Sequence, residues 1–328
     1  MSKNVKMEDI AKHLGVSIVS VSKALAGKDG VGEETRKQIL KTADELGYVK
    51  IHDSHALGER KTIVVVVAAR FFGDSSFYSN MYNELLQKLN NDGFTTVLEI
   101  VSRIRENSAV VPNSVTNPEV VGVIFMGEIS RDLIRAIAKT ALPFVFLDFY
   151  DPSFKVDSIV SDSAYGSFSL TRHLIDKGLK NIAFVGSIAS TSSIMDRYLG
   201  YYRAMVLAGL KEHVQAIEDR DKEGNFIKLT LPNALPEAFV CNCDEIAFRL
   251  IQQLRDLDQK VPEDVSVVGF DGSNISLIST PAITTYKVDI VAMSEITSSL
   301  IIRIAKKKKV TPKRSVVQGE LILRASSR

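Results

Sequence analysis

The chain has 328 residues, 45% hydrophobic and 24% charged, with a formal net charge of +2. This is the composition of a globular protein, and the length calls for two or three domains. So balanced a charge excludes any global electrostatic argument for nucleic-acid binding, which must rest on local pattern instead.

The first ten residues carry charges where a signal peptide needs an apolar core, so a cytoplasmic protein is expected. Three short helices follow. Met7, Ile10, Ala11 and Leu14 share one helical face, and Gly15 breaks that helix. Ser17 suits the N-cap of a second helix that runs to about Ala26, with Val21, Ala24 and Leu25 inward. A third helix spans about Glu33 to Leu46, its inward face read as Ile39, Leu40, Ala43 and Leu46, and Gly47 ends it. A small Ala11 where helices cross, a turn Gly15 and a core Val21 form the spacing of a helix-turn-helix. The same spacing also suits a plain three-helix bundle. The outward face of the second helix favours DNA. Ser17, Ser20 and Ser22 can donate to phosphates, Lys23 can reach a guanine edge, and Ile18 and Val19 can meet a thymine methyl group.

Residues 50–61 are polar and basic, a linker or marginal helix. From Thr62 the texture changes. Strands are expected at about 62–69, 94–101, 121–126, 144–148, 181–186, 238–242, 265–270 and 316–323. Helices are expected at about 78–91, 130–139, 163–177, 196–209, 244–258 and 290–306. This alternation exceeds one sheet. The expected fold class is α/β: an N-terminal all-α headpiece, then two doubly wound parallel-sheet lobes with a ligand cleft at the strand ends. Cys241 and Cys243 read as ordinary thiols, because no further cysteine completes a metal cluster. The five histidines show no metal-ligand spacing, no nucleotide fingerprint is present, and no apolar run reaches the length of a membrane span. No cofactor, metal or membrane contact is expected. Gly73–Ser76 (GDSS) looks like a nucleophile turn but has no base partner, and Lys306 to Lys309 reads as a solvated helix end.

Taken together, these segments resemble the LacI/GalR family of bacterial repressors. The resemblance is carried by Met7–Ala26 (MEDIAKHLGVSIVSVSKALA), Val31–Arg36 (VGEETR) and Ala43–Tyr48 (ADELGY). Asp162 with Gly166, Lys180–Gly186, Asp196–Gly200, Pro262–Asp271 and Thr280–Thr285 extend it along essentially the whole chain. It implies a domain order: headpiece 1–49, hinge 50–61, effector and dimerisation domain 62–328. Lobe 1 of that domain takes about 62–161 and 290–317, and lobe 2 about 162–289 and 318–328. By position, Ile18, Val19 and Lys23 match operator-selecting residues. Lys6, Ser17, Ser20, Ser22 and Tyr48 match backbone-contacting ones, and Leu57 matches the hinge leucine that wedges into the minor groove. Two departures stand out: Ala26 replaces a usual Asn, and Lys50-Ile51 replaces a usual Pro-Asn.

The resemblance also implies an effector pocket like that of periplasmic sugar-binding proteins. Arg197, Asn242 and Asp271 match its polar residues, Asp148 faces them from the other lobe, and Phe77 is a candidate stacking plate. Asp244 is a candidate for the aspartate that commonly follows the asparagine. The expected protein is a ligand-responsive regulator, a repressor of carbohydrate-utilisation genes, whose partners are operator DNA, a sugar effector and a second copy of itself. With no heptad repeat after Val316–Leu323, a homodimer is expected rather than a tetramer. The alternatives are the same regulator with a purine or phosphorylated effector, a sugar-processing enzyme and a transport-type binding protein. No acid/base pair can be assembled for the enzyme, and residues 1–49 argue against the last two.

Overall fold

A computed structural model of the chain describes residues 7–25, 29–46, 61–72, 76–306 and 311–328. The chain divides into two compact units, Met1–Glu59 and Arg60–Arg328.

The first unit holds α1 (Met7–Leu14), α2 (Ile18–Leu25) and α3 (Glu33–Glu45). Ile10, Ala11, Val21, Ala24, Ile39 and Ala43 form its core. Leu40 departs from expectation, being 48% exposed. One residue along a helix is a turn of about 100°, so Leu40 leaves the face that Ile39 and Ala43 share. Thr42 joins the buried face of α3 instead.

In the second unit, β1 (Thr62–Ala68) leads to α4 (Ala69–Phe72), α5 (Ser76–Asn91) and β2 (Thr95–Val101). Then come α6 (Arg103–Ser108), α7 (Asn113–Thr116), β3 (Val120–Met126), α8 (Arg131–Ala138), β4 (Phe144–Leu147) and β5 (Ser158–Ser161). The chain continues through α9 (Ser163–Asp176), β6 (Ile182–Val185), α10 (Ser192–Leu207), β7 (Gln215–Ile217), β8 (Ala238–Cys241) and α11 (Asp244–Asp256). It closes with β9 (Ser266–Asp271), α12 (Asn274–Ile278), β10 (Thr284–Lys287), α13 (Ile290–Ala305), β11 (Arg314–Val317) and β12 (Glu320–Ile322).

Two six-stranded sheets result, ordered β11-β5-β4-β3-β1-β2 and β12-β10-β9-β8-β6-β7. Every pairing is parallel except β10 with β12. In the first sheet, Ile63, Val65 and Val67 pack to one side and Val64 and Val66 to the other, and all are buried. That is why β1 reads as an unbroken apolar run. The expected single strand at 316–323 is two strands, one in each sheet. Gln318 and Gly319 carry the chain across, and a side chain at Gly319 would lie 2.2 Å from the Lys287 carbonyl oxygen. Among the described residues, no helix is long and apolar enough to cross a membrane.

Candidate functional site

In the helical unit, Gly15 has φ +66, a left-handed turn that glycine adopts without strain. The Ser17 hydroxyl accepts from the Ser20 backbone N–H at 3.0 Å and lies 2.9 Å from the Ser20 hydroxyl. Ser17 is thus the N-cap of α2, and its oxygen already serves the helix end. Ile18 and Val19 are 46% and 65% exposed, and Ser22 and Lys23 are exposed beside them. Neither aliphatic side chain belongs to the core of this unit, and side chains of this kind are suited to apolar contact with a base edge. Lys6, Tyr48 and Leu57, with Ala26 and the 50–60 segment, lie outside the described residues.

In the larger unit, a cleft of about 530 Å³ opens between the two sheets' lobes, and it is reached by Phe77, Asp148, Arg197, Asn242 and Asp271 together. The topology explains the convergence. Asp148 follows β4, Asn242 follows β8, and Asp271 ends β9, so all three stand at carboxyl ends of parallel strands. Asp148 and Asp271 have φ of +66° and +103°. Such backbone strain in non-glycine residues is characteristic of binding sites.

The centre of the cleft is an Arg197–aspartate cluster. Arg197 Nη2 lies 3.2 Å from Asp271 Oδ1, Nη1 donates to the Asn242 carbonyl oxygen, and the guanidinium sits 3.9 Å above the Phe270 ring. Asp148 Oδ2 accepts from the Tyr78 hydroxyl at 2.7 Å. Asp148 Oδ1, Asp271 Oδ1 and Arg197 Nε are buried with no hydrogen-bond partner. For Asp271 Oδ1, the Arg197 contact is close enough for an ion pair but is not aligned as a hydrogen bond.

Burial raises the Asp148 carboxyl above its usual range and pushes Asp271 up to about 8 against the pull of Arg197. A carboxyl raised by folding binds protons more tightly in the native state. Its contribution is fully present below the unfolded pKa and is lost as pH rises through the folded one. The unfolding temperature should therefore fall as pH rises from 4 towards 9, and Asp271→Asn should flatten the upper part of that fall. An unchanged slope in the variant would mean that Asp271 is already ionised at low pH.

Not every candidate at the cleft is free to meet a ligand, and Asp244 lies elsewhere. Asn242 borders the cleft, but its amide is committed: Nδ2 donates to Val185 O at 2.9 Å and Asp219 Oδ2 at 2.7 Å, and Oδ1 accepts from Arg220 at 3.2 Å. Asp244 is buried away from the cleft, accepting from Thr285 at 2.6 Å and from the Ser273 N–H at 2.7 Å. It ties α11 to β10 instead of facing a ligand. Phe77 is mostly core, 6% exposed, while Phe71 and Tyr78 beside it are less buried. Sequence reasoning missed Tyr78, Arg70 and Arg220. Arg70 pairs with buried Glu106 and donates to the Glu128 carbonyl at 2.7 Å, and Arg220 pairs with buried Asp219 at 2.6 Å. Only a carboxylate partner distant in sequence distinguishes Arg70 from a surface arginine, and nothing local signals that. Cys241 and Cys243 are both buried, and burial pushes the Cys243 thiol up to about 12.

Residues 6–50 match the family described as bacterial regulatory proteins, lacI family, and residues 171–327 match a periplasmic binding protein-like domain. HTH-type transcriptional regulator RegA of Clostridium saccharobutylicum is 31% identical, over 98% of this chain and 98% of its own length. The chain belongs to the LacI family. It is a DNA-binding transcriptional regulator, and its relatives are named as regulators and repressors rather than enzymes. The LacI-family fold extends along the chain in two solved structures. A complex of the transcriptional regulator CelR with cellobiose superposes with a TM-score of 0.69 at 22% identity, covering 99% of this chain and 100% of that one. The lac repressor dimer bound to operator and an anti-inducer gives 0.68 at 20%, covering 99% of each.

Proposed function

We propose that this regulator is a repressor of carbohydrate-utilisation genes whose hold on its operator is set by a neutral sugar in the cleft. The observation that carries the ligand class is the charge arrangement. Asp148 Oδ1 is a buried acceptor with no hydrogen-bond partner, and Asp271 Oδ1, on the opposite lobe, is met by the Arg197 ion pair but accepts no hydrogen bond. Among the cleft arginines, Arg70 and Arg103 share Glu106, Arg197 pairs with Asp271 and Arg220 with Asp219, and Asp148 adds a fourth carboxylate to the cleft. Buried acceptors want donors, and sugar hydroxyls supply them around a ring whose faces suit aromatic contact. A phosphorylated metabolite would need unmatched cations there. CelR, similar in fold, is seen with cellobiose, in keeping with this reading.

The reading assigns residues 1–49 to DNA binding, 50–61 to a hinge and 62–328 to effector binding and dimerisation. Two copies place two headpieces on a near-palindromic operator in the cytoplasm. Ile18, Val19 and Lys23 select bases. Lys6, Ser17, Ser20, Ser22 and Tyr48 hold the backbone, and Leu57 wedges the minor groove. A sugar that prefers one lobe arrangement shifts the balance between DNA-competent and incompetent states. A near-complete switch needs about 5.5 kcal/mol of preference.

The test is selection of genomic DNA fragments by the purified protein at fixed salt, with and without candidate sugars. Recovery of one palindromic site whose enrichment a sugar changes supports the reading. A site that only a phosphorylated compound affects overturns the ligand class. In the same assay, Lys23→Ala should relax base preference at one position of each half-site and cost about 1–3 kcal/mol there. A uniform loss of affinity with preference intact would make Lys23 a phosphate contact.

A further inference from the structure

Resting on the carbohydrate reading, we propose that the effector has at least two sugar rings, the second read by a hairpin that this chain builds at Arg220–Phe226.

The cleft has room for more than one ring. A hexose of a dozen non-hydrogen atoms fills roughly 200 Å³ at protein packing density, whereas the cleft holds about 530 Å³. Its lining also continues past the Asp148–Arg197–Asp271 centre. Glu223, Gly224 and Asn225 border it from one lobe, and Ser102 and Arg103 from the other.

The hairpin is stiffened well beyond what a surface turn requires. Arg220 and Phe226 pair as an antiparallel bridge. The Asp221 carboxylate accepts from the Glu223 N–H at 3.0 Å, the Asn225 N–H at 2.8 Å and the Asn225 amide at 3.0 Å. The hydrogen bonds from Asn225 lead in holding the Asp221 carboxyl below its usual range. Arg220 and Arg249 lie 4.6 and 4.8 Å from the centre of the Phe226 ring, and Arg220 is anchored to buried Asp219. Gly224, at φ +89°, comes so close to Arg70 of the opposite lobe that a Cβ there would lie 2.9 Å from Arg70 Cδ. The loop is therefore preformed by its own hydrogen bonds and lies at the mouth of the cleft beside Arg70. The exposed carboxylate of Glu223 and the amide oxygen of Asn225 remain free to accept hydrogen bonds. A preformed loop with spare acceptors loses little entropy on binding a polyol.

The experiment is calorimetric titration of the full chain with glucose, galactose, fructose, xylose and ribose, and with cellobiose, maltose, lactose and sucrose. One disaccharide should bind at least about 30-fold more tightly than the monosaccharides it contains, a preference of about 2 kcal/mol. The Glu223→Ala/Asn225→Ala double variant removes both spare acceptors together with the Asn225–Asp221 hydrogen bond, and should lower that preference at least tenfold with monosaccharide affinity and operator binding unchanged. A monosaccharide that binds as tightly as any disaccharide overturns the two-ring claim and leaves the carbohydrate reading standing. A disaccharide preference untouched by the double variant overturns the role of the hairpin. Binding of none of these sugars, by protein that still selects its operator, overturns the carbohydrate reading itself.

Discussion

Arg197→Ala should abolish the response to effector while leaving operator binding in place. Arg197 is 5% exposed and is the cation nearest both cleft aspartates. Its guanidinium ties Asp271 to the carbonyl of Asn242 and covers Phe270. Removing one partner from a buried ion pair costs about 3–5 kcal/mol, because the remaining charge has lost its compensation. Part of that cost is avoided if Asp271 takes up a proton, and burial has already raised its carboxyl to about 8. The variant also removes the buried Arg197 Nε donor, which has no partner in the fold, and the fork that holds Asp271 and the Asn242 carbonyl in place; hydrogen bonds from charged groups are the stronger ones. Effector affinity should fall by at least 100-fold, or about 2.7 kcal/mol. Arg197→Lys keeps the charge but has no planar fork to hold Asp271 and Asn242 at once, so it should restore stability better than affinity. Calorimetry and operator binding across an effector series would check both variants. A wild-type effector response from Arg197→Ala would place the sensing site elsewhere.

The helical unit is legible in sequence because its signals are local. A turn glycine, a capping serine and apolar spacing all fall within one or two helical turns of each other, and the structure places Ile18 and Val19 on the surface accordingly. The long apolar strands are legible for the same reason. The strands missed by sequence are short and polar. β5 begins and ends in serine, and β10 begins Thr284-Thr285, whose buried hydroxyls bond to Ser327 at 2.8 Å and Asp244 at 2.6 Å. Those partners lie 43 and 41 residues away in the chain, beyond the reach of any periodicity. The cleft divides in the same way. Asp148 and Asp271 stand at the ends of strands that the apolar runs predict, and the family resemblance is what marks them as cleft residues. Whether a polar group is available to a ligand depends on what else it touches. Asn242 and Asp244 sit at matching positions, yet both are occupied by neighbours in the fold.

Gly200→Ala should unfold the ligand domain at a lower temperature and weaken effector binding at once. In an ordinary helix interior the change would stabilise by up to about 1 kcal/mol, since glycine is the poorer helix former. Here α10 crosses α9 so closely that a Cβ on Gly200 would lie 2.1 Å from the Ala164 carbonyl oxygen and 2.9 Å from the Phe168 nitrogen. Both are backbone atoms, so no side-chain rotation relieves the clash and the helices must separate. Overpacking of this kind costs about 1–3 kcal/mol and occasionally more, enough to reverse the sign of the propensity gain. A net loss of about 2 kcal/mol would lower the unfolding temperature by roughly 4–8 °C. Gly178→Ala is the informative control. Its φ is +86 but nothing lies within 4 Å of the added carbon, so it carries backbone strain without a clash and should lose stability with effector affinity intact. Gly200 sits one helical turn after Arg197, so moving α10 off α9 moves the guanidinium relative to Asp271 at the end of β9. The binding site is then only as well placed as the crossing of these two helices. Separate losses of stability and affinity in the Gly200 variant, or a variant as stable as the wild type, would break that connection.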